Sequence, residues 1–185
     1  PWPMVYEHKW LVKQFAKRVE GYPREGKENS RSGAWLDPNH TNFVLVGTEN
    51  DTWGSEIEFR FRLEKMFAQK YEVPLVVLVI QGGPGTLKAT LTAMQKGEGL
   101  CALLVIEDSG GAASAICWCL DHEHEQLPKN RFPEKWLHDQ ESVNQLREIC
   151  SLHKSQRTIH RFSLASDASL SAALLLSVCT LEPMH

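Results

Sequence analysis

The sequence predicts an α/β fold. The expected architecture is a Rossmann-like parallel sheet with helices on both faces, followed by a helical C-terminal appendage. Three observations predict it. Leu75 to Ile80 and Ala102 to Ile106 are continuous apolar runs of strand length. Each is followed by a glycine turn, Gly82-Gly83-Pro84-Gly85-Thr86 and Ser109-Gly110-Gly111. Each turn opens a segment of helix-forming composition. Buried strands alternating with helices need crossover connections, which make parallel neighbours and cover both sheet faces.

The elements follow in chain order. Tyr6 to Val19 reads as a loose amphipathic helix. Residues 21–39 are rich in Gly, Pro, Ser and charge, and read as a loop. Phe43 to Val46 is a short apolar run stopped by Gly47, which suits a strand buried on both faces. Asn50 to Gly54 is a turn. Glu56 to Tyr71 carries both periods: Ile57, Phe59, Phe61 and Leu63 alternate, whereas Phe59, Leu63, Met66 and Phe67 recur at helical spacing. Its length and its Arg, Glu, Lys, Gln and Ala content favour helix. Val73 to Gln81 is expected as a fully buried strand, Leu87 to Lys96 as a helix, Ala102 to Ile106 as a second buried strand, and Ala112 to His122 as a helix. Gln126 to Pro133 is a polar linker. Glu141 to His153 is an amphipathic helix with Val143, Leu146, Ile149 and Cys150 on its apolar side. Ile159 to Leu164 is a further strand, and Ser169 to Leu181 a last helix with Asp167 or Ser169 as N-cap. The predicted division is 1–125 for the sheet domain and 126–185 for the linker and helical segment.

Composition narrows the function. The 185 residues are 42% hydrophobic and 23% charged, which suits a packed globular chain. Lys and Arg number 20 against 23 Asp and Glu, a net charge of −3. That balance offers no electrostatic footprint for nucleic acid or an anionic membrane. No apolar run approaches the roughly 20 residues of a membrane helix, and no cationic-then-apolar start predicts a signal peptide. The five cysteines, an odd number, suit free and mostly buried thiols in a reducing compartment. Two glycosylation-like tripeptides, at Asn39 and Asn50, carry little weight without a secretory signal.

The chemistry centres on the two glycine turns. Each lies between the C-terminal end of a strand and the start of a helix. Free N–H groups and the helix dipole there favour an anion such as phosphate, and ligands of open α/β sheets bind at that edge. Gly82, Gly83, Gly85 and Thr86 form one such turn, Ser109 and Gly110 the other. The alternative is a pair of tight strand-to-helix connections with no ligand. Arg60, near the start of its helix, could pair with a phosphate, and Trp53 could stack on a base. The alternative for Arg60 is a solvated helix face. His122-Glu123-His124-Glu125 lacks the His-Glu-x-x-His spacing of zinc proteases, since Gln126 stands where the second His belongs. Cys117-Trp118-Cys119 has no second cysteine pair nearby, so no metal site is expected. No nucleophile elbow and no Walker lysine occur. No catalytic residue is therefore assigned.

These residues resemble the melastatin-type TRP channels, the TRPM family. Asn39-His40-Thr41-Asn42-Phe43-Val44-Leu45-Val46 is similar to that family's Asn-His-(Ser/Thr)-x-Phe-x-Leu-Val stretch. Arg60-Phe61-Arg62-Leu63-Glu64 looks like its Arg-x-Arg-Leu-Glu helix, and Gln81 to Leu87 like its Glu-Gly-Gly-Pro-Gly-Thr-Leu turn. Ser109 to Ala113 resembles its second glycine turn, and Phe162 to Cys179 the segment before its helical repeats. The resemblance covers nearly the whole chain. It implies a SLOG-type domain in the cytosolic N-terminal region of a plasma-membrane channel that is calcium-permeable or calcium-activated. The implied partners are the other subunits of a homotetramer and the rest of the same chain, with no nucleic acid and no membrane contact by this segment. It implies no cofactor, but an ADP-ribose-like nucleotide as a possible ligand. Trp53 falls where such a member has an aromatic base partner, Arg60 where it has a phosphate-binding arginine, and Gly82, Gly83, Gly85 and Thr86 at the phosphate turn.

Departures from the family pattern shape those expectations. Pro1-Trp2-Pro3 looks like the family's Pro-Trp-Gly, which lies well inside the domain. The domain is therefore expected to be N-terminally truncated here, with an unpaired sheet edge, an uncovered apolar face and poor solubility. Gly111 stands where nucleotide-binding members carry Arg, and Ser109-Gly110-Gly111 looks more like the calcium-activated, monovalent-selective branch. The loop from Gly47 to Thr52 looks shortened. Related phosphoribohydrolases of the LOG type carry a catalytic Glu where this chain has Ala89, so a binding or assembly module is expected and not an enzyme. The alternative is a free-standing SLOG protein that binds or cleaves nucleotides.

Overall fold

The structure is a computed structural model. It describes residues 4–5, 44–45, 54, 56–97, 99–122 and 126–181. The helix expected over 6–19, the loop over 21–39, the shortened loop over 47–52 and Trp53 lie outside the described residues. The chain divides into two compact units, 1–51 and 52–185. In the first, β1 (Met4–Val5) pairs antiparallel with β2 (Val44–Leu45), with Met4 opposite Leu45. The described part of the Phe43 to Val46 run is a strand, as its apolar residues suggest, and lies in a separate two-stranded antiparallel sheet.

The second unit runs α1 (Ile57–Tyr71), β3 (Leu75–Val79), α2 (Pro84–Lys96), β4 (Cys101–Ile106), α3 (Gly111–Asp121), a 3-10 turn (Lys135–His138), α4 (Gln140–Gln156), β5 (Ile159–Phe162) and α5 (Leu170–Cys179). The strands form one sheet in the order β3-β4-β5, all parallel. Val77 lies opposite Leu103, and Leu103 opposite Ile159. This is the Rossmann-like α/β arrangement that the two apolar runs and their glycine turns predict.

Strand alternation assigns the faces. Cys101, Leu103 and Val105 look one way, toward Phe61 of α1, Leu87, Ala93 and Met94 of α2, Ile116 of α3, and Leu146 and Ile149 of α4. Leu104, Ile106 and Phe162 look the other way, where Ala173 and Leu174 of α5 pack. Helices thus cover both faces. Every residue of β4 is buried, as expected of a central strand. The segment after 126 joins the same core through Leu137, Leu146, Ile149 and Ile159.

Two packing expectations are corrected. β3 was expected to be fully buried, but it is the edge of the described sheet. Leu78 and Ile80 are 42% and 53% exposed, whereas Val76 packs on the cluster that α5 covers. The helix α1 is present, but its inner face is Ile57, Phe61 and Ala68; Met66 and Phe67 are about half exposed. Of the Phe59, Leu63, Met66, Phe67 stripe, Phe59 and Leu63 are half-buried and Met66 and Phe67 exposed.

Capping follows ordinary rules. Asp139 caps α4 by accepting from the Ser142 amide at 2.7 Å. Ser169 occupies the N-cap of α5 without a side-chain cap bond. No helix among the described residues is long and apolar enough to cross a membrane.

Candidate functional site

Arg60 is an exposed residue of the first turn of α1. Its Nε lies 3.5 Å from Glu64 Oε1, an i,i+4 pair. Such an exposed pair is worth about 0.3–0.5 kcal/mol, little enough for the guanidinium to exchange Glu64 for a stronger anion. Among the contacts that hold this part of the unit onto α2, Lys88 Nζ donates to the Gly54 carbonyl at 3.2 Å, Lys96 pairs with Glu58, and Lys65 Nζ donates to the Lys96 carbonyl at 2.9 Å. That Lys96 contact holds the Glu58 carboxyl below its ordinary range.

The first glycine turn leaves β3 through Gln81 and Gly82, both at positive φ (49° and 89°). Gly82 has no room for a side chain: a Cβ would sit 2.3 Å from Thr86 Oγ1. Pro84 occupies the first position of α2, where a missing N–H costs nothing. The amides of Thr86 and Leu87 fold back onto the Gly83 carbonyl at 3.0 and 3.3 Å. Among the described residues, the N–H groups of Gly83 and Gly85 have no protein acceptor.

Arg60 faces this turn across a hollow of about 510 Å³. Gly54, Gly83, Gly85, Thr86 and Thr90 line it too. Ligand pockets span ~300–1,000 Å³, so the size suits a small molecule. Thr90 was not singled out in the sequence. Its hydroxyl is buried, the residue being 1% exposed, and has no hydrogen-bond partner among the described residues. A buried unpaired hydroxyl costs ~1–3 kcal/mol, and the sequence does not announce it. Ala89 also lines it, where the LOG-type enzymes would place a carboxylate.

The second glycine turn touches the first directly. Ala112 N donates to the Gly82 carbonyl at 3.0 Å and Ala113 N to the Gln81 carbonyl at 2.9 Å. Gln81 N donates to Ser109 Oγ at 2.8 Å, and that hydroxyl donates to the Ile106 carbonyl. Gly110 N donates to Ser114 Oγ. The two turns are neighbours, as their motifs suggest. The amides of Gly110, Ala112 and Ala113, however, are already engaged within the protein. They brace the first turn. Gly111 makes the close approach possible: its φ is +53°, and a Cβ would lie 2.4 Å from the Gly82 carbonyl oxygen.

Gly110 and Gly111 line a different hollow from Arg60, one of about 460 Å³ beside β5. Its floor holds Arg161, whose guanidinium pairs with both Glu107 and Asp121. Asp121 foremost, then Glu107, raises the Arg161 pKa. Asp108, next to that turn, accepts from the Leu164 and Ala165 amides and from Ser163 Oγ. The Leu164 amide is the main cause of its lowered carboxyl pKa. His122 stacks flat on Trp118 and contacts its carbonyl. Among the described residues no group of three His, Cys, Asp or Glu could hold a metal ion. The structure therefore brings together Arg60, Gly83, Gly85 and Thr86, adds Thr90, and places Ser109 and Gly110 behind them.

Comparison with known proteins gives a consistent kinship. The family described as SLOG in TRPM matches residues 1–157. Transient receptor potential cation channel subfamily M member 2 of Mus musculus is 30% identical over 128 residues, 62% of this chain and 8% of that protein. Subfamily M member-like 2 of Nematostella vectensis is 39% identical over 102 residues, 49% of this chain and 6% of that protein. Subfamily M member 5 of Homo sapiens is 24% identical over 173 residues, 83% of this chain and 15% of that protein. The chain thus spans 6–15% of the length of these relatives. The family match over residues 1–157 takes in both glycine turns and the strands β3 and β4 that lead into them, and on that ground the chain belongs to the SLOG domains of the TRPM family.

Proposed function

We propose that this chain is a regulatory and assembly segment in the cytosolic N-terminal region of a plasma-membrane TRPM cation channel. Its partners are then the other subunits of the channel and the rest of its own chain. We further propose that the start of α2 receives a phosphate-bearing small ligand of the ADP-ribose type, and binds it without cleaving it. The observation that carries the ligand reading is convergence. One hollow is lined by a cation (Arg60), by two glycines whose amides lack acceptors among the described residues, and by the residue bearing the unpartnered Thr90 hydroxyl.

The physics of such a site is additive in kind. The N-terminus of α2 favours an anion by ~0.3–1 kcal/mol, and a charge-assisted bond from Arg60 adds ~1.5–3 kcal/mol. Hydrolysis would need a carboxylate at the ribose, and Ala89 occupies the relevant wall. A regulatory ligand acts only through different affinities for the closed and open channel.

Calorimetry with ADP-ribose and AMP tests the reading. Heat of binding is expected for the chain, and Arg60→Ala is expected to weaken it roughly 10-fold or more. Chromatography of the recovered nucleotide is expected to show it intact. Equal binding by the wild type and Arg60→Ala, or released base, would refute it.

A further inference from the structure

We propose that Cys119 and Cys150 form an oxidation site: a dithiol that a hydroperoxide converts to a disulfide, stapling α3 to α4. Cys119 lies in the last turns of α3 and Cys150 in the middle of α4, helices that pack on a common core. Cys150 is close enough to act on Cys119 directly and is the first cause that raises its thiol pKa. Both are half-buried, and both line a hollow of about 560 Å³ that admits small reagents. Cys101 and Cys117 are buried, and burial pushes their thiols up to about 12 and about 11 respectively. Cys179 is exposed on α5.

The surroundings separate the roles of the two sulfurs. Arg147 and Lys154 stand one helical turn to either side of Cys150 on α4, and both line the same hollow, as do Lys129, His122 and His138. Flanking cations favour thiolate at Cys150. The Cys119 thiol is pushed up, first by Cys150 and then by burial. It is therefore the resolving thiol.

The step balances. The Cys150 thiolate attacks one oxygen of hydrogen peroxide and becomes a sulfenic acid; the O–O bond breaks and hydroxide leaves. Cys119 then attacks the Cys150 sulfur, losing its proton, and the sulfenic hydroxyl departs as water. Overall two thiols and one peroxide give one disulfide and two waters, with sulfur oxidised and peroxide reduced. A thiol reductant reverses it.

The test treats the chain with dilute hydrogen peroxide, alkylates the remaining thiols and maps the digest by mass spectrometry. The wild type is expected to fall from five alkylatable thiols to three, to yield the Cys119–Cys150 linked peptide, and to recover all five with dithiothreitol. Cys119→Ser is expected to stop at a Cys150 sulfenic acid, trapped by dimedone. Cys150→Ser is expected to leave Cys119 unmodified. A wild type without the linked peptide would overturn the proposal, whatever the variants do. So would a dimedone adduct on Cys119 in Cys150→Ser that matches the Cys150 adduct in yield.

Discussion

Replacing Gly111 by Ala tests the junction of the two turns. The new Cβ would meet the Gly82 carbonyl oxygen at 2.4 Å, with the Gln81 carbonyl carbon and the Gly82 nitrogen at 3.1 and 3.2 Å. All three are backbone atoms, so no rotamer change relieves the contact. The φ of +53° adds a left-handed cost of ~1–2 kcal/mol for Ala. Moving the first turn away strains the bonds from Ala112 and Ala113, each worth ~0.5–1.5 kcal/mol net. Together the loss is ~2–5 kcal/mol, a large part of the ~5–15 kcal/mol that holds a domain. Urea-dependent proteolysis at low protein concentration, where self-association is suppressed, reads it. With a mid-range slope of ~2 kcal/mol per molar urea, the midpoint should drop by about 1–2.5 M. Gly83→Ala is the control: φ is −117°, nothing lies within 4 Å of its Cβ, and its midpoint should barely move. If Gly111→Ala melts with the wild type, the two turns are not joined as described.

Further outcomes concern charge, pH and solubility. The chain should aggregate through the exposed Leu78 and Ile80, and Leu78→Lys with Ile80→Lys should raise the soluble fraction in sedimentation; a monodisperse wild type would contradict this. Asp108 has a folded pKa below its unfolded value of ~3.9, so its contribution is present above that value and is lost as pH falls through the folded pKa. Asp108→Asn should flatten the acid limb of a melting-temperature profile. His153 is lowered, first by burial and then by His160 and Arg157, and its Nδ1 accepts from the Ile159 amide at 3.3 Å. Here the folded pKa lies below the unfolded ~6.5, so the unfolded chain binds the proton first. Stability should fall as pH drops below about 6.5, and His153→Gln should reduce that slope.

Much of the fold was legible because it rests on local signals. β4 is an uninterrupted apolar run and is wholly buried; the turns at Gly82 and Gly110 carry the positive φ that only glycine adopts freely. Misreadings arose where neighbours decide. An apolar run cannot say whether it lies at the centre or the edge of a sheet, so β3 looked as buried as β4. In α1 both periods were present, and which residues turn inward, Ile57, Phe61 and Ala68, depends on the helix's neighbours. The site was legible as two adjacent turns and one arginine. Which amides stay open depends on where the Gln81 and Gly82 carbonyls point, and no sequence pattern records that. Thr90, and the meeting of Cys119 with Cys150, depend on helix rotation in the packed unit.

The bonds from Ala112 and Ala113 to the preceding turn have a mechanical consequence. The starts of α2 and α3 are clasped together as if by a rivet, with no slack loop to absorb movement. Displacing one must drag the other. A molecule settling against Gly85 would therefore tug on α3, the helix whose far end carries Cys119.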